Sequence, residues 1–189
     1  GSKILNDKCY WDTDYHIDSY HTEDYFIDKL RDLLSDSVRI QLRSDVPIGG
    51  YLSGGMDSSL VCALASDHLN TEVSMFTGRF AEGPEYDESY YARKLAEAKK
   101  GRYYEVVPSA DDFVRQLPEL IYALDEPVAG PGLFPQYQVS RLARDQVTVV
   151  LGGQGGDEIF GGYARYLVGY LEQALKGSSF ETQEEGKHL

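Results

Sequence analysis

Ile48-Gly49-Gly50-Tyr51-Leu52-Ser53-Gly54-Gly55-Met56-Asp57-Ser58-Ser59 is the stretch that decides the fold. Ile48 to Leu52 reads as a short buried strand running into a glycine cluster. Asp57 to Leu69 reads as a helix with Leu60, Ala63 and Leu64 on one side. A glycine pair lets the backbone turn tightly and come close to an anion. The helix that follows offers unpaired N–H groups and a positive dipole end at its first turn. Ser53, Ser58 and Ser59 add hydroxyl donors, so the segment forms a cradle for pyrophosphate. Asp57 would repel phosphate unless a cation lay between them, which points to Mg²⁺. Gly54 and Gly55 are adjacent and no Lys-Ser/Thr follows, so this is neither a Walker A loop nor a GxGxxG turn. A plain turn with a capped helix start is the structural alternative for the same residues.

Working outward, Asp45-Val46-Pro47 breaks a preceding helix, Tyr25 to Leu42. Its Phe26, Leu30, Leu33, Leu34, Val38 and Leu42 recur at helical spacing, and Thr22 gives it a weak capping signal. Downstream, strands are predicted at Val73 to Thr77, Arg102 to Val107 and Val147 to Leu151. Helices are predicted at Asp87 to Lys99, Ala110 to Leu124 (with a kink or break at Pro118), Gln136 to Arg144 and Tyr163 to Leu175. Val147-Thr148-Val149-Val150-Leu151 is the strongest of these strands. Alternation of strands and helices implies parallel pairing, and apolar strands imply a sheet covered on both faces. The expected fold is therefore α/β, a doubly wound parallel sheet with helices on both faces. Residues 1–21 read as an extended lead-in, 22–175 as the domain, and 176–189 as a polar, mobile tail.

A second glycine-rich loop, Gly152-Gly153-Gln154-Gly155-Gly156-Asp157-Glu158, leaves the Val147–Leu151 strand. In an open parallel sheet both loops fall at the carboxyl edge, where ligands bind. Asp157 is then placed to share a metal with Asp57. Asp157 and Glu158 also suit the first turn of a helix, where carboxylates are favourable.

Three segments occur in this order: SGGMDSS at 53–59, DEP at 125–127 with FPQYQVSRLAR at 134–144, and GDEIFGGY at 156–163. Over about residues 22–170 the chain resembles the synthetase domain of glutamine-dependent asparagine synthetases. These are members of the ATP pyrophosphatase (PP-loop) superfamily, with an adenine nucleotide alpha-hydrolase-like fold. The resemblance implies ATP and Mg²⁺ as cofactors, with aspartate and ammonia as substrates. The aspartate side chain is adenylated, pyrophosphate leaves, and ammonia displaces AMP. It implies an ATP-binding set of Tyr51, Leu52, Ser53, Gly54, Gly55, Asp57, Ser58, Ser59, Gly78, Gly152 and Gly153. It implies metal binding by Asp57 and Asp157, and chemistry at Asp157, Gln154 and Glu158. A cytoplasmic location follows, and a homodimer of the full enzyme is compatible with it.

This chain departs from the family pattern at Gly152-Gly153-Gln154, where Ser-Gly-Glu or Ser-Gly-Asp is usual, and at Gly130, where Asp is usual. Gln154 keeps hydrogen bonding but carries no charge and cannot act as a base. A β-lactam synthetase-like enzyme with another acceptor, or a nucleotide-binding piece without activity, are the alternatives. The family's N-terminal glutaminase domain and its downstream catalytic Lys segment are not recognised here, and Cys9 sits in an unrelated context. The isolated chain is expected not to make asparagine by itself.

Bulk properties exclude other classes. The 189 residues are 42% hydrophobic and 12% aromatic, with 15 Tyr, enough for a packed core. A net charge of −13 and no Lys/Arg-rich window argue against a nucleic-acid partner. No apolar run reaches membrane-spanning length. Cys9 and Cys62 are too few for a disulfide scaffold, and His16, His21, His68 and His188 show no zinc-like spacing. Asp87-Glu88 reads as a helix start and Asp125-Glu126 as a site rim. Arg79, Arg141 and Arg165 read as surface ion pairs, and Tyr163, Tyr166 and Tyr170 as helix packing.

Overall fold

A computed structural model describes residues 8–14, 16–81, 83, 87–126, 130 and 132–180. The chain divides into two units, Gly1–Asp36 and Ser37–Leu189. In the first, the described residues before 22 form neither helix nor strand. His21 stacks on Tyr25 with ring centroids 3.9 Å apart. Its ring also bonds the Asp18 carboxylate, which, with backbone N–H donors, lowers the Asp18 pKa to about 2.

The second unit is built on β1 (Ile48–Tyr51), β2 (Ser74–Gly78), β3 (Arg102–Val106) and β4 (Val149–Leu151). All pair in parallel, in the order β3-β2-β1-β4. Helix α1 (Glu23–Gln41) enters this unit at its C-terminal end, and α2 (Met56–His68), α3 (Ser89–Ala98), α4 (Ala110–Leu124) and α5 (Leu133–Arg144) follow. A five-residue α6 (Gly156–Phe160) and α7 (Ala164–Phe180) complete it.

Side chains alternate between sheet faces along each strand. Met75 of β2 and Tyr103 of β3 face Cys62 of α2 and Ala92 and Ala96 of α3. On the opposite face, Phe76, Tyr104, Tyr51 and Val150 meet Val139 and Ala143 of α5. Phe76 and Tyr104, paired in register, stack at 5.2 Å. Burying a side chain such as Phe76 contributes roughly 1.5–3 kcal/mol. Helix α4 packs on α5, where Phe113 meets Phe134 edge-on at 5.3 Å. The doubly wound parallel arrangement expected from the sequence is therefore present.

Glycines in a strand interior normally weaken it, and β1 has two. They are required by close approach on both faces. A Cβ on Gly50 would lie 2.5 Å from Cys62 Sγ, and one on Gly49 would lie 2.6 Å from the Ser74 carbonyl.

Several boundaries differ from the sequence reading. The strongest predicted strand is the shortest, β4. Val147 N–H donates back to the Ala143 carbonyl at 2.9 Å, and Thr148 and Val149 N–H both donate to the Pro47 carbonyl, so only 149–151 join the ladder. Helix α5 starts at Leu133, not Gln136. Pro135 lies in its first turn, where a missing N–H removes nothing from the helix. Helix α4 continues as one element through the exposed Pro118. Helix α7 runs to Phe180, beyond Leu175; the rest of the predicted tail, 181–189, lies outside the described residues.

Candidate functional site

The strand order reverses at β1. The chain winds through β2 to β3 on one side and returns to place β4 on the other. A crevice opens beyond the carboxyl ends of strands at such a reversal. The loops that leave β1 and β4 there are the two glycine-rich segments.

In the first loop Gly54 takes φ +99°, and a Cβ there would strike the Glu88 carbonyl oxygen. Only glycine suits both constraints. Ser53 Oγ and Ser58 Oγ are 2.8 Å apart. Ser58 Oγ donates to the Gly55 carbonyl, and Gly55 N–H donates to Ser53 Oγ, each at 3.2 Å. The loop is thus knit by its own hydroxyls. Gly55, the residue before α2, has no side chain to cap the helix. First-turn N–H groups of an uncapped helix remain available to an anion.

The second loop presses on that same helix end. A Cβ on Gly153 would lie 2.6 Å from the Ser58 amide nitrogen, and one on Gly156 would strike the Asp57 carboxylate. Gly155 turns the chain at φ +92° into α6, which carries Asp157 and Glu158 in its first turn. The helix-start reading of these two carboxylates is therefore also met.

The loops enclose an open cavity of about 440 Å³. Of the anticipated residues, Tyr51, Ser53, Gly55, Asp57, Ser58, Gly153, Gln154, Asp157 and Glu158 line it. A second, mostly apolar cavity of about 190 Å³ adjoins it, lined by Leu52, Gly78, Phe76, Phe80, Pro135, Gln136 and Val139. Tyr51, Ser53 and Gln154 line both. Gly54, Ser59 and Gly152 line neither: Gly54 packs under Glu88, Ser59 N–H donates to the Gly55 carbonyl at 3.1 Å, and Gly152 lies beneath Gln154. Tyr51 is anchored through its hydroxyl, 2.7 Å from Ser140 Oγ, which itself donates to the Gln136 carbonyl.

The donor set suits a hard divalent cation. Among the described residues no three ligating side chains cluster, but Asp57 and Asp157 share one cavity wall. Two carboxylates, with water and phosphate oxygens, are what Mg²⁺ usually takes.

Tyr163, read from the sequence as packing, does pack on Tyr166 with ring centroids 5.8 Å apart, and it also lines the cavity. It precedes α7 and donates its hydroxyl to Glu158 Oε1 at 2.6 Å. That bond lowers the Glu158 pKa below the ordinary carboxylate value and raises that of Tyr163. Arg165 lies 5.0 Å from the Tyr163 ring centroid. Arg79 is held at 3.0 Å by Glu105, which Arg93 and Tyr103 also bond. Arg141 bonds Gln116 and covers Tyr137. Asp87 accepts from Ser89 N–H at the start of α3, as a helix-start residue does. Asp125 ends α4 at φ +58°, while residues 127–129 of the DEP loop lie outside the described residues. Among the described residues, nothing lies within 4 Å of a Cβ built on Gly130. Of this second cavity's wall, Pro135 and Gln136 lie in the FPQYQVSRLAR segment, whereas Phe80 carried no sequence signal.

The family described as asparagine synthase matches residues 29–184. A putative glutamine-hydrolysing asparagine synthetase from Mycobacterium tuberculosis is 46% identical over 74% of this chain and 21% of its own length. One from Methanocaldococcus jannaschii, also putative, is 40% identical over 76% of this chain and 28% of its own. Asparagine synthetase 1 of Bacillus subtilis is 37% identical over 76% and 22%. The chain thus spans between a fifth and three tenths of the length of these relatives. Among solved structures, the NH3-dependent NAD synthetase of Campylobacter jejuni superposes with a TM-score of 0.49 at 16% identity, over 72% of this chain and 60% of that one. Among the described residues no helix is long and apolar enough to cross a membrane.

Proposed function

This chain belongs to the asparagine synthase family, and from that premise we propose that it supplies the ATP site of a carbon–nitrogen ligase. ATP lies with its pyrophosphate against the N-terminus of α2 and its nucleoside toward the apolar cavity at Leu52, Gly78 and Phe80. The side-chain carboxylate of aspartate attacks the α-phosphorus, giving β-aspartyl-AMP and pyrophosphate. Ammonia then displaces AMP to yield asparagine. Asp57 and Asp157 would hold Mg²⁺, which supplies charge neutralisation at the phosphates. The work of the chain itself is positioning and electrostatic complementarity. Free first-turn N–H groups face the pyrophosphate, Tyr51 is fixed by Ser140, and Glu158 is held by the Tyr163 hydroxyl. Two free thiols, Cys9 and Cys62, suit the reducing cytoplasm implied by this reading.

The observation that carries the proposal is the meeting of two glycine-rich loops on the uncapped end of α2, where Gly153 leaves no room for a side chain against the Ser58 amide. Exchange of label between pyrophosphate and ATP tests it, using a full-length protein that carries this sequence. Exchange should require aspartate. Exchange driven by a different carboxylate but not by aspartate would keep adenylation and reassign the acceptor. No exchange with any carboxylate would overturn adenylation.

A further inference from the structure

Tyr51, Ser53 and Gln154 form the partition between the two cavities. Two of the three are tied to protein, Tyr51 to Ser140 and Ser53 to Ser58. The Gln154 carboxamide has no side-chain hydrogen-bond partner among the described residues, so its donors and acceptor are open to a ligand. Its position is set from below. Oε1 of Gln154 occupies the space that a side chain at Gly152 would need. Any residue other than glycine at 152 must push the carboxamide off the partition. The obstacle is the end of a flexible side chain, so the fold itself would tolerate that push.

We infer that Gly152 and Gln154 act as one unit, in which the room left by Gly152 holds the Gln154 carboxamide at the junction of the cavities. There it is an uncharged hydrogen-bonding group for the phosphate that joins nucleoside to pyrophosphate. This rests on the ATP reading of the site. Gln154 is the contacting residue and Gly152 the positioning residue. A neutral amide suits this junction. It can donate to an α-phosphate oxygen from a wall that already carries Asp57, Asp157 and Glu158.

The test is a double-mutant cycle on Mg·ATP affinity by calorimetry of the 189-residue chain, with Gly152→Ala, Gln154→Ala and the double variant. Gly152→Ala should weaken binding by about threefold or more while Gln154 is present, and by far less in the Gln154→Ala background. Circular dichroism and melting should remain close to wild type for Gly152→Ala. Equal losses in both backgrounds, or no loss in either, would overturn the coupling. A second measurement needs no nucleotide. The side-chain NH₂ resonances of Gln154 in the free protein should move in Gly152→Ala, and unmoved resonances contradict the coupling. Failure of wild type to bind ATP, with those resonances moving, would overturn only the ligand assignment and the ATP reading beneath it.

Discussion

The carboxylate of Asp57 lies against the backbone of Gly156 and fills the space a side chain there would need. The two residues come from separate loops, one after β1 and one after β4. The contact fixes where the first loop's carboxylate points relative to the second loop. Gly156→Ala is expected to displace that carboxylate and weaken Mg·ATP binding by roughly tenfold, about 1.4 kcal/mol. Calorimetric titration checks this, and unchanged affinity in a folded variant would show that the position of Asp57 does not matter.

The same kind of contact holds the core. Gly50→Ala should destabilise the fold by about 1–3 kcal/mol, because the new methyl meets Cys62 Sγ at 2.5 Å. Cys62→Ala removes that sulfur, so the double variant should recover part of the loss. Urea unfolding of the four proteins measures it. Additive losses would mean that strain at Gly50 comes from elsewhere.

Cysteine chemistry separates the two thiols. Cys62 is fully buried, and burial pushes its pKa up to about 12, whereas Cys9 is exposed. Since the thiolate is the reactive form, a disulfide reagent near neutral pH should modify Cys9 rapidly in the native chain and Cys62 only in denaturant. Rapid modification of both in the native state would contradict the packing of α2 on β1.

Tyr163→Phe should raise the titration midpoint of Glu158 toward 4.5, its ordinary value, because the Tyr163 hydroxyl is the largest cause of the lowering. A depressed folded pKa means that this bond's contribution is complete above the unfolded value and is lost as pH falls through the folded one. Carboxyl NMR titration of Glu158 in both proteins follows it. An identical midpoint in the variant would remove Tyr163 from the account of that carboxylate.

Much of this arrangement was legible in the sequence for physical reasons. Glycine next to glycine at the end of an apolar run has few explanations other than a tight turn, and Ser53 to Ser58 folded as one. Alternation of strand and helix was enough to anticipate a parallel, doubly wound sheet. Boundaries were less legible where long-range partners decide them. Val147 has strand chemistry, yet its N–H closes α5. Pro135 reads as a breaker, yet a first helical turn accepts it. Tyr163 has helical spacing with Tyr166 and Tyr170, which hid its hydroxyl bond to Glu158. The apolar cavity was legible only in part: Leu52 and Gly78 were anticipated, but Phe80, Gln136 and Val139 meet only through the packing of α5 over β2.

The most direct measurement is calorimetric titration of the 189-residue chain with ATP, with and without Mg²⁺, for wild type and Asp57→Asn. Wild type should bind ATP more tightly with Mg²⁺ than without it. Asp57→Asn should lose roughly tenfold or more in the presence of Mg²⁺, about 1.4 kcal/mol, and little in its absence. Equal affinity of the two proteins for Mg·ATP, or a wild type indifferent to both ATP and Mg²⁺, would contradict the assignment of the two-loop cavity as an ATP site.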